Sequence, residues 1–174
     1  MKIQWSVRPT GKADWPVIEG LYPAAFPDED LLPLVRALLA CEDCRHLVVA
    51  EGQTVLGHAA FTLCGVDDQA NAAALMGPVA VAPSHHRQGL GTALIEAGFT
   101  NLAEAGVASV LVLGDPAYYG RFGFVPETGI TTPCPIPEEW AEAWQSMPLR
   151  GKASALTGQL RVPEPWLDPA LWAP

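Results

Sequence analysis

A chain of 174 residues, 49% of them hydrophobic, is long enough to bury a sizeable core and too apolar to stay disordered. Its net charge of −9 disfavours nucleic acid and anionic membranes as partners. No apolar run reaches membrane-spanning length, and Met1-Lys2-Ile3-Gln4-Trp5 carries no signal-peptide core, so the expectation is one cytoplasmic domain over residues 1–174.

Ile3, Trp5 and Val7 alternate with polar residues, which predicts a first strand from Ile3 to Arg8. Thr10 to Phe26 reads as a helix, with Asp14 as a candidate cap and Trp15-Pro16 near its start. Pro23 and Pro27 end it, and the Asp28-Glu29-Asp30 cluster opens a second helix from Leu31 to about Leu39. Leu47 to Ala50 and Val55 to Cys64 are two strands joined by a tight hairpin at Glu51-Gly52-Gln53. Gly65 to Asn71 reads as a polar loop, and Ala73 to Val81 as a further strand.

Four cysteines stand at 41, 44, 64 and 134. Cys41-Glu42-Asp43-Cys44 lacks the second pair that a zinc knuckle needs, and its two carboxylates oppose the lowered thiol pKa of a redox pair. Plain reduced cysteines are expected. His85 and His86 are neighbours in a turn, where two rings rarely chelate together, so no metal is expected.

The most informative stretch runs from Val79 to Thr92. Val79-Ala80-Val81 is a short β-branched strand end, Pro83 breaks it, and Gly89 and Gly91 open a helix reaching about Ala105. Leu94, Ile95, Gly98, Phe99 and Leu102 form one apolar stripe, with Gly106 at the expected left-handed cap. Ser109-Val110-Leu111-Val112-Leu113 follows as a strand buried on both faces. Strand, helix and strand make a right-handed crossover, and glycines at its turn leave peptide N–H groups aimed along a helix start, which suits a diphosphate. A dinucleotide fingerprint would need a third glycine where Leu94 stands, and a P-loop would need Gly-Lys-Ser/Thr where Gly91-Thr92-Ala93 stands.

Beyond it, Asp115-Pro116 supplies an N-cap and a proline at the first helical position, Ala117 to Phe122 one or two turns, and Gly123 their end. The 49 residues from Pro126 hold nine of the seventeen prolines. Glu138 to Gln145 reads as a short helix with Trp140 and Trp144 on one face, and Gln159 to Val162 as a strand. Trp166 and Trp172 follow in the tail, and these tryptophans are expected as core or clamp residues, with stacking on a substrate as the alternative. Residues 126–174 read as an elaboration on the same domain.

Two of these stretches carry a resemblance. His86-Arg87-Gln88-Gly89-Leu90-Gly91 after a Val-rich strand and a proline resembles the acyl-CoA motif of the GNAT superfamily of N-acetyltransferases, with His86 where the family usually has Gln or Arg. Tyr118-Tyr119-Gly120-Arg121-Phe122-Gly123-Phe124 resembles that superfamily's Phe-Tyr-x-x-x-Gly-Phe ending, and Gly114 to Phe124 as a block is similar to its YhbS-like branch. The resemblance covers about Ile3 to Val125. It implies a mixed α/β sheet with helices on both faces, acetyl-CoA as acyl donor, and an amine acceptor on a small molecule or protein attacking directly in a ternary complex. It further implies a diphosphate cradle at the amides of Arg87, Gln88, Gly89, Leu90, Gly91 and Thr92. The backbone of Val79, Ala80 and Val81 would hold the pantetheine arm, with the Val81 amide facing the thioester oxygen. Tyr119 is the expected general acid and Tyr118 a packing residue. The family's carboxylate on the strand before the turn has no counterpart in Leu75 to Val81, which leaves His58, Asp28, Glu29 and Asp30 as candidate bases acting through water. A catalytically silent acyl-CoA sensor on the same fold is the alternative. The oligomeric state stays open, a dimer included.

Overall fold

The computed structural model describes residues 4–149 and 156–173. In chain order it contains β1 (Ser6–Pro9), α1 (Trp15–Ala25), α2 (Leu32–Leu39), β2 (Cys44–Glu51), β3 (Thr54–Val66), β4 (Gln69–Val81), α3 (Leu90–Glu104), β5 (Ser109–Leu113), α4 (Pro116–Tyr119), β6 (Val125–Pro126), β7 (Ile130–Thr131), β8 (Trp144–Pro148) and β9 (Gly158–Arg161). Antiparallel and parallel pairs occur together, so the expected mixed α/β class holds. The chain groups into two compact units, Met1–Phe61 with Gly77–Thr100, and Thr62–Met76 with Asn101–Pro174; β3 and β4 contribute residues to both.

In the first unit β1 pairs antiparallel with β2, from Ser6 opposite Ala50 to Pro9 opposite Leu47. Ile3 lies outside the described residues. Ile18, Leu21 and Tyr22 of α1 and Val35 and Leu39 of α2 bury their apolar faces against Val48, Ala50, Val55 and Ala80 of the sheet. Asp14 does stand at the start of α1, but its side chain does not cap that helix. It takes both arms of the Arg8 guanidinium, at 2.8 and 2.9 Å, and accepts the Gly11 N–H at 2.8 Å. A charged two-pronged donor outcompetes the helix amides.

Helix α3 presents Leu94, Ile95 and Leu102 inward with no exposed surface. Gly98 sits on the same stripe because a side chain there would overlap the ring of Phe61 on β3. Gly106 adopts the left-handed φ of 86°, while Gly106 N–H and Val107 N–H close the helix on the carbonyls of Ala103 and Leu102.

In the second unit β5 lies between two partners. It runs parallel to β4, from Ala73 opposite Ser109 to Leu75 opposite Leu111, and antiparallel to β8, from Ser109 opposite Pro148 to Leu113 opposite Trp144. The helix expected over Glu138 to Gln145 is therefore shorter: a 3-10 stretch covers Glu138–Ala143, and Trp144 already belongs to a strand. The demand of the buried, mostly apolar β5 for a second hydrogen-bonded neighbour overrides the helical spacing of Trp140 and Trp144. Trp144 is buried, and its indole N–H donates to the Ile130 carbonyl at 2.8 Å.

The loop expected over Gly65 to Asn71 shrinks to Asp67-Asp68, with β3 and β4 reaching Val66 and Gln69. Its polar residues serve β9, which pairs with Gly65 and Val66, while the Asp67 carboxylate accepts the Gln159 N–H at 2.8 Å. Of the late tryptophans, Trp172 lies in the core and Trp166 packs half-buried against it. Trp172 is buried and donates its indole N–H to the Trp166 carbonyl at 2.8 Å, and Trp166 donates to the Thr62 hydroxyl at 3.0 Å.

Candidate functional site

The turn after β4 is built as the glycine pattern requires. Ala82 N–H ties the strand end to the Leu56 carbonyl at 2.7 Å, and Pro83–His85 form a single 3-10 turn. Arg87 and Gly89 then take positive φ values of 61° and 84°. Glycine adopts this region freely, whereas at Arg87 it costs about 1 kcal/mol or more. Such a reversal swings consecutive peptide N–H groups toward one side of the loop. The first α3 hydrogen bond beyond it runs from Ala93 N–H to the Gly89 carbonyl at 3.0 Å, so the amides of Leu90, Gly91 and Thr92 lie ahead of the helical ladder. His86 through Gly89 are exposed. The nine backbone positions expected to hold a coenzyme, Val79–Val81 and Arg87–Thr92, thus form one continuous strand, turn and helix start within the first unit.

One contact there had no signal in the sequence. The His86 Nε2–H donates to the Val81 carbonyl at 2.8 Å, bending the turn back onto the last residue of β4. A side chain at the position where the resemblance places Gln or Arg therefore braces the strand end from outside.

Tyr119 lies in the second unit, on α4. Asp115 caps this helix as expected, accepting the Ala117 N–H at 2.9 Å. The Tyr119 ring rests on Gly114, where a side chain would collide with it, and meets Phe124 edge-on at 5.8 Å. Burial, with smaller contributions from Tyr118 and Asp115, pushes its phenol up to about 12. Tyr118 is exposed, with the Arg121 guanidinium 4.7 Å above its ring. The two tyrosines differ in surroundings as well as in place.

The candidate bases fare differently. His58 has no exposed surface, and both of its ring nitrogens are engaged: Nδ1 with the Tyr22 hydroxyl at 2.6 Å, and Nε2 with His46 Nδ1 at 2.8 Å. Burial, and then the neighbouring His46, lower it to about 3. A group so placed cannot take a proton from an acceptor. His46, which the sequence reading passed over, continues the chain to the Leu38 carbonyl at 2.9 Å. Its partners are 8 and 12 residues away, so no local pattern announces it. Asp28, Glu29 and Asp30 line an open cleft of about 380 Å³ in the first unit, with Phe26 and Leu31 as apolar wall. The four cysteines form no disulfide, and among the described residues no cluster has the makings of a metal site.

Similar proteins bear on this arrangement. The sequence model of the acetyltransferase (GNAT) family matches residues 15–124. The uncharacterized N-acetyltransferase YjhQ of Escherichia coli (strain K12) is 33% identical over 165 residues, 90% of this chain and 91% of that protein. The uncharacterized N-acetyltransferase YhbS of the same strain is 43% identical over 91 residues, 52% of this chain and 50% of that protein. The crystal structure of Escherichia coli YhbS in complex with CoA aligns with a TM-score of 0.85 at 29% identity, covering 95% of this chain and 93% of that one. A GNAT family acetyltransferase from Brucella melitensis in complex with acetyl-CoA aligns with a TM-score of 0.75 at 25% identity, covering 94% and 99%.

Proposed function

The chain belongs to the acetyltransferase (GNAT) family, and on that premise we propose that it transfers an acetyl group from acetyl-CoA to an amine within a ternary complex. The observation that carries the reading is the backbone reversal at Arg87 and Gly89 immediately ahead of the α3 amides. Peptide donors fixed in this way favour a diphosphate without any change in charge state on the protein. CoA and acetyl-CoA are bound by the two structural relatives, and acetyl-CoA supplies an acyl carbon open to attack and a thiolate leaving group.

In this reading the amides of Arg87 to Thr92 hold the diphosphate, and the backbone of Val79 to Val81 lies alongside the pantetheine arm like an added strand. The Val81 N–H donates to the thioester oxygen, an effect of about 3 kcal/mol when the charge develops. As the carbon–nitrogen bond forms and the carbon–sulfur bond breaks, Tyr119 gives its proton to the departing sulfur. Burial keeps the phenol protonated at neutral pH, so its O–H is available to hydrogen-bond the developing thiolate and pass the proton on. The acceptor amine is mostly protonated in water, and the acidic cleft at Asp28 to Asp30 favours approach of such a cation. The absence of a carboxylate between Leu75 and Val81, together with the engaged ring of His58, favours an acceptor that loses its proton to water or to another group.

The test is release of free thiol from acetyl-CoA over a panel of small amines and peptides. Turnover with any acceptor supports the enzyme. Acetyl-CoA binding without turnover across the panel replaces it with a silent acyl-CoA sensor, and absence of binding removes both.

A further inference from the structure

The buried chain Leu38–His46–His58–Tyr22 has two complete hydrogen-bond arrangements that differ by one proton. A carbonyl only accepts, so His46 must carry a proton on Nε2, which faces the Leu38 oxygen at 2.9 Å. When His46 is neutral its Nδ1 is an acceptor, so His58 donates to it from Nε2. His58 Nδ1 is then an acceptor as well and takes the Tyr22 hydroxyl proton over 2.6 Å. Tyr22 has no second proton for the Pro78 carbonyl, 3.2 Å from the same oxygen.

A proton added to His46 Nδ1 reverses every link. His46 now donates from both nitrogens, so His58 must accept on Nε2 and carry its own proton on Nδ1. That proton is donated to the Tyr22 oxygen, and the Tyr22 proton is released to the Pro78 carbonyl. One proton is taken up, two hydrogen bonds change direction, and one is gained on β4. The entry point fits, because His46 is half-buried while His58 and Tyr22 have no exposed surface. Cys44 on β2 is a further ionisable group acting on Tyr22, while burial and the Leu38 carbonyl act on His46, and burial and His46 act on His58. The Leu38 carbonyl cannot pass a proton on, so the chain is no conduit to solvent.

We propose that Tyr22, His58 and His46 are positioning residues that fasten or release β4 at Pro78 according to a single proton on His46. Pro78 immediately precedes Val79 to Val81, so, on the reading that these residues hold the pantetheine arm, fastening β4 prepares that arm's partner in advance and tightens the coenzyme. By reciprocity the coenzyme then raises the pH at which His46 takes its proton. Burial disfavours the charged form and sets the reversal below the ordinary histidine range.

Two-bond nitrogen–proton spectra of the histidine rings in the coenzyme-free protein, from about pH 7.5 to about pH 4.5, read the tautomers directly. His58 should switch from the Nε2–H to the Nδ1–H form at the midpoint of His46 protonation. If His58 keeps Nε2–H while His46 titrates, takes a second proton itself, or neither ring changes, the proposal is wrong. Tyr22→Phe removes the acceptor that the charged arrangement needs, so His58 should keep Nε2–H and the His46 midpoint should fall; an unchanged reversal in that variant overturns the role of Tyr22. In the wild type, affinity for acetyl-CoA should rise at least threefold across the midpoint relative to the change seen in Tyr22→Phe, and equal changes in the two overturn the coupling to the coenzyme. A protein that binds no acetyl-CoA would remove the assignment of Val79 to Val81, yet the tautomer reversal would still decide the relay.

Discussion

Gly98 on α3 and Phe61 on β3 touch so closely that a methyl group on Gly98 would overlap the Cζ end of the aromatic ring. The helix is drawn onto the sheet by the missing side chain, and the ring fills the space it leaves. Gly98→Ala should lower stability by about 2 kcal/mol despite the better helix propensity of alanine. Denaturant unfolding measures this, and Phe61→Leu in the same chain should recover part of the loss. A neutral Gly98→Ala would mean that the contact is looser than described.

Tyr119→Phe keeps the packing on Gly114 and removes only the proton carried by a phenol pushed up to about 12. The expected result is a fall in kcat of at least about tenfold with the KM for acetyl-CoA little changed. Tyr118→Phe should stay close to wild type, because that side chain is exposed and covered by Arg121. A reversed pattern would transfer the role to Tyr118.

Gly89→Val places a β-branched residue at φ 84°. The strain and the displaced amides together should weaken acetyl-CoA binding about tenfold or more. Calorimetry reads the affinity, and the thermal midpoint without ligand separates loss of the site from loss of the fold.

Asp14 is held at about 2 mainly by its hydrogen bonds from Arg8, against an ordinary value of 3.8. A depressed carboxyl contributes stability above its unfolded value and loses it as pH falls through the folded one, here between about 4 and about 2. Allowing for solvent around the partly exposed Arg8, Asp14→Asn should cost about 1 kcal/mol at neutral pH and flatten the acid limb of the stability curve.

The histidine pair acts in a higher window. Both imidazoles are lowered by burial, His58 to about 3, so the unfolded chain takes up protons first as pH drops below about 6.5. Their stabilisation is whole above that value and declines toward the folded value of His58. Urea midpoints should therefore fall from about pH 7 to about pH 5, and replacing His46 and His58 together by Gln should reduce the slope.

How much of this was legible follows from where each signal resides. Local chemistry marked α3, the Gly106 cap, β5 and the Asp115-Pro116 helix start, because each rests on contacts within a few residues. Asp14 misled as a cap because its partner, Arg8, comes from β1. Trp144 misled because helical spacing to Trp140 is local, whereas its strand is specified by β5, more than 30 residues earlier. The polar run at Asp67 hid a hairpin whose purpose appears only with β9, about 90 residues later. In the candidate site the backbone turn was readable from glycine and proline, while the occupation of His58 by Tyr22 and His46 was not, since those partners meet only in the folded core.

The family match ends at residue 124, but β8, which begins at Trp144, lies between β5 and β6. A chain cut after Phe124 would strip one side of β5 over its five residues, Ser109 to Leu113, leaving an apolar ribbon of unanswered amides and carbonyls. Such a ribbon recruits strands from other molecules. The end of the family match is thus no place for scissors: the shortened protein should be recovered as insoluble aggregate, and the segment after residue 124 counts as part of the folding unit that any excised fragment must retain.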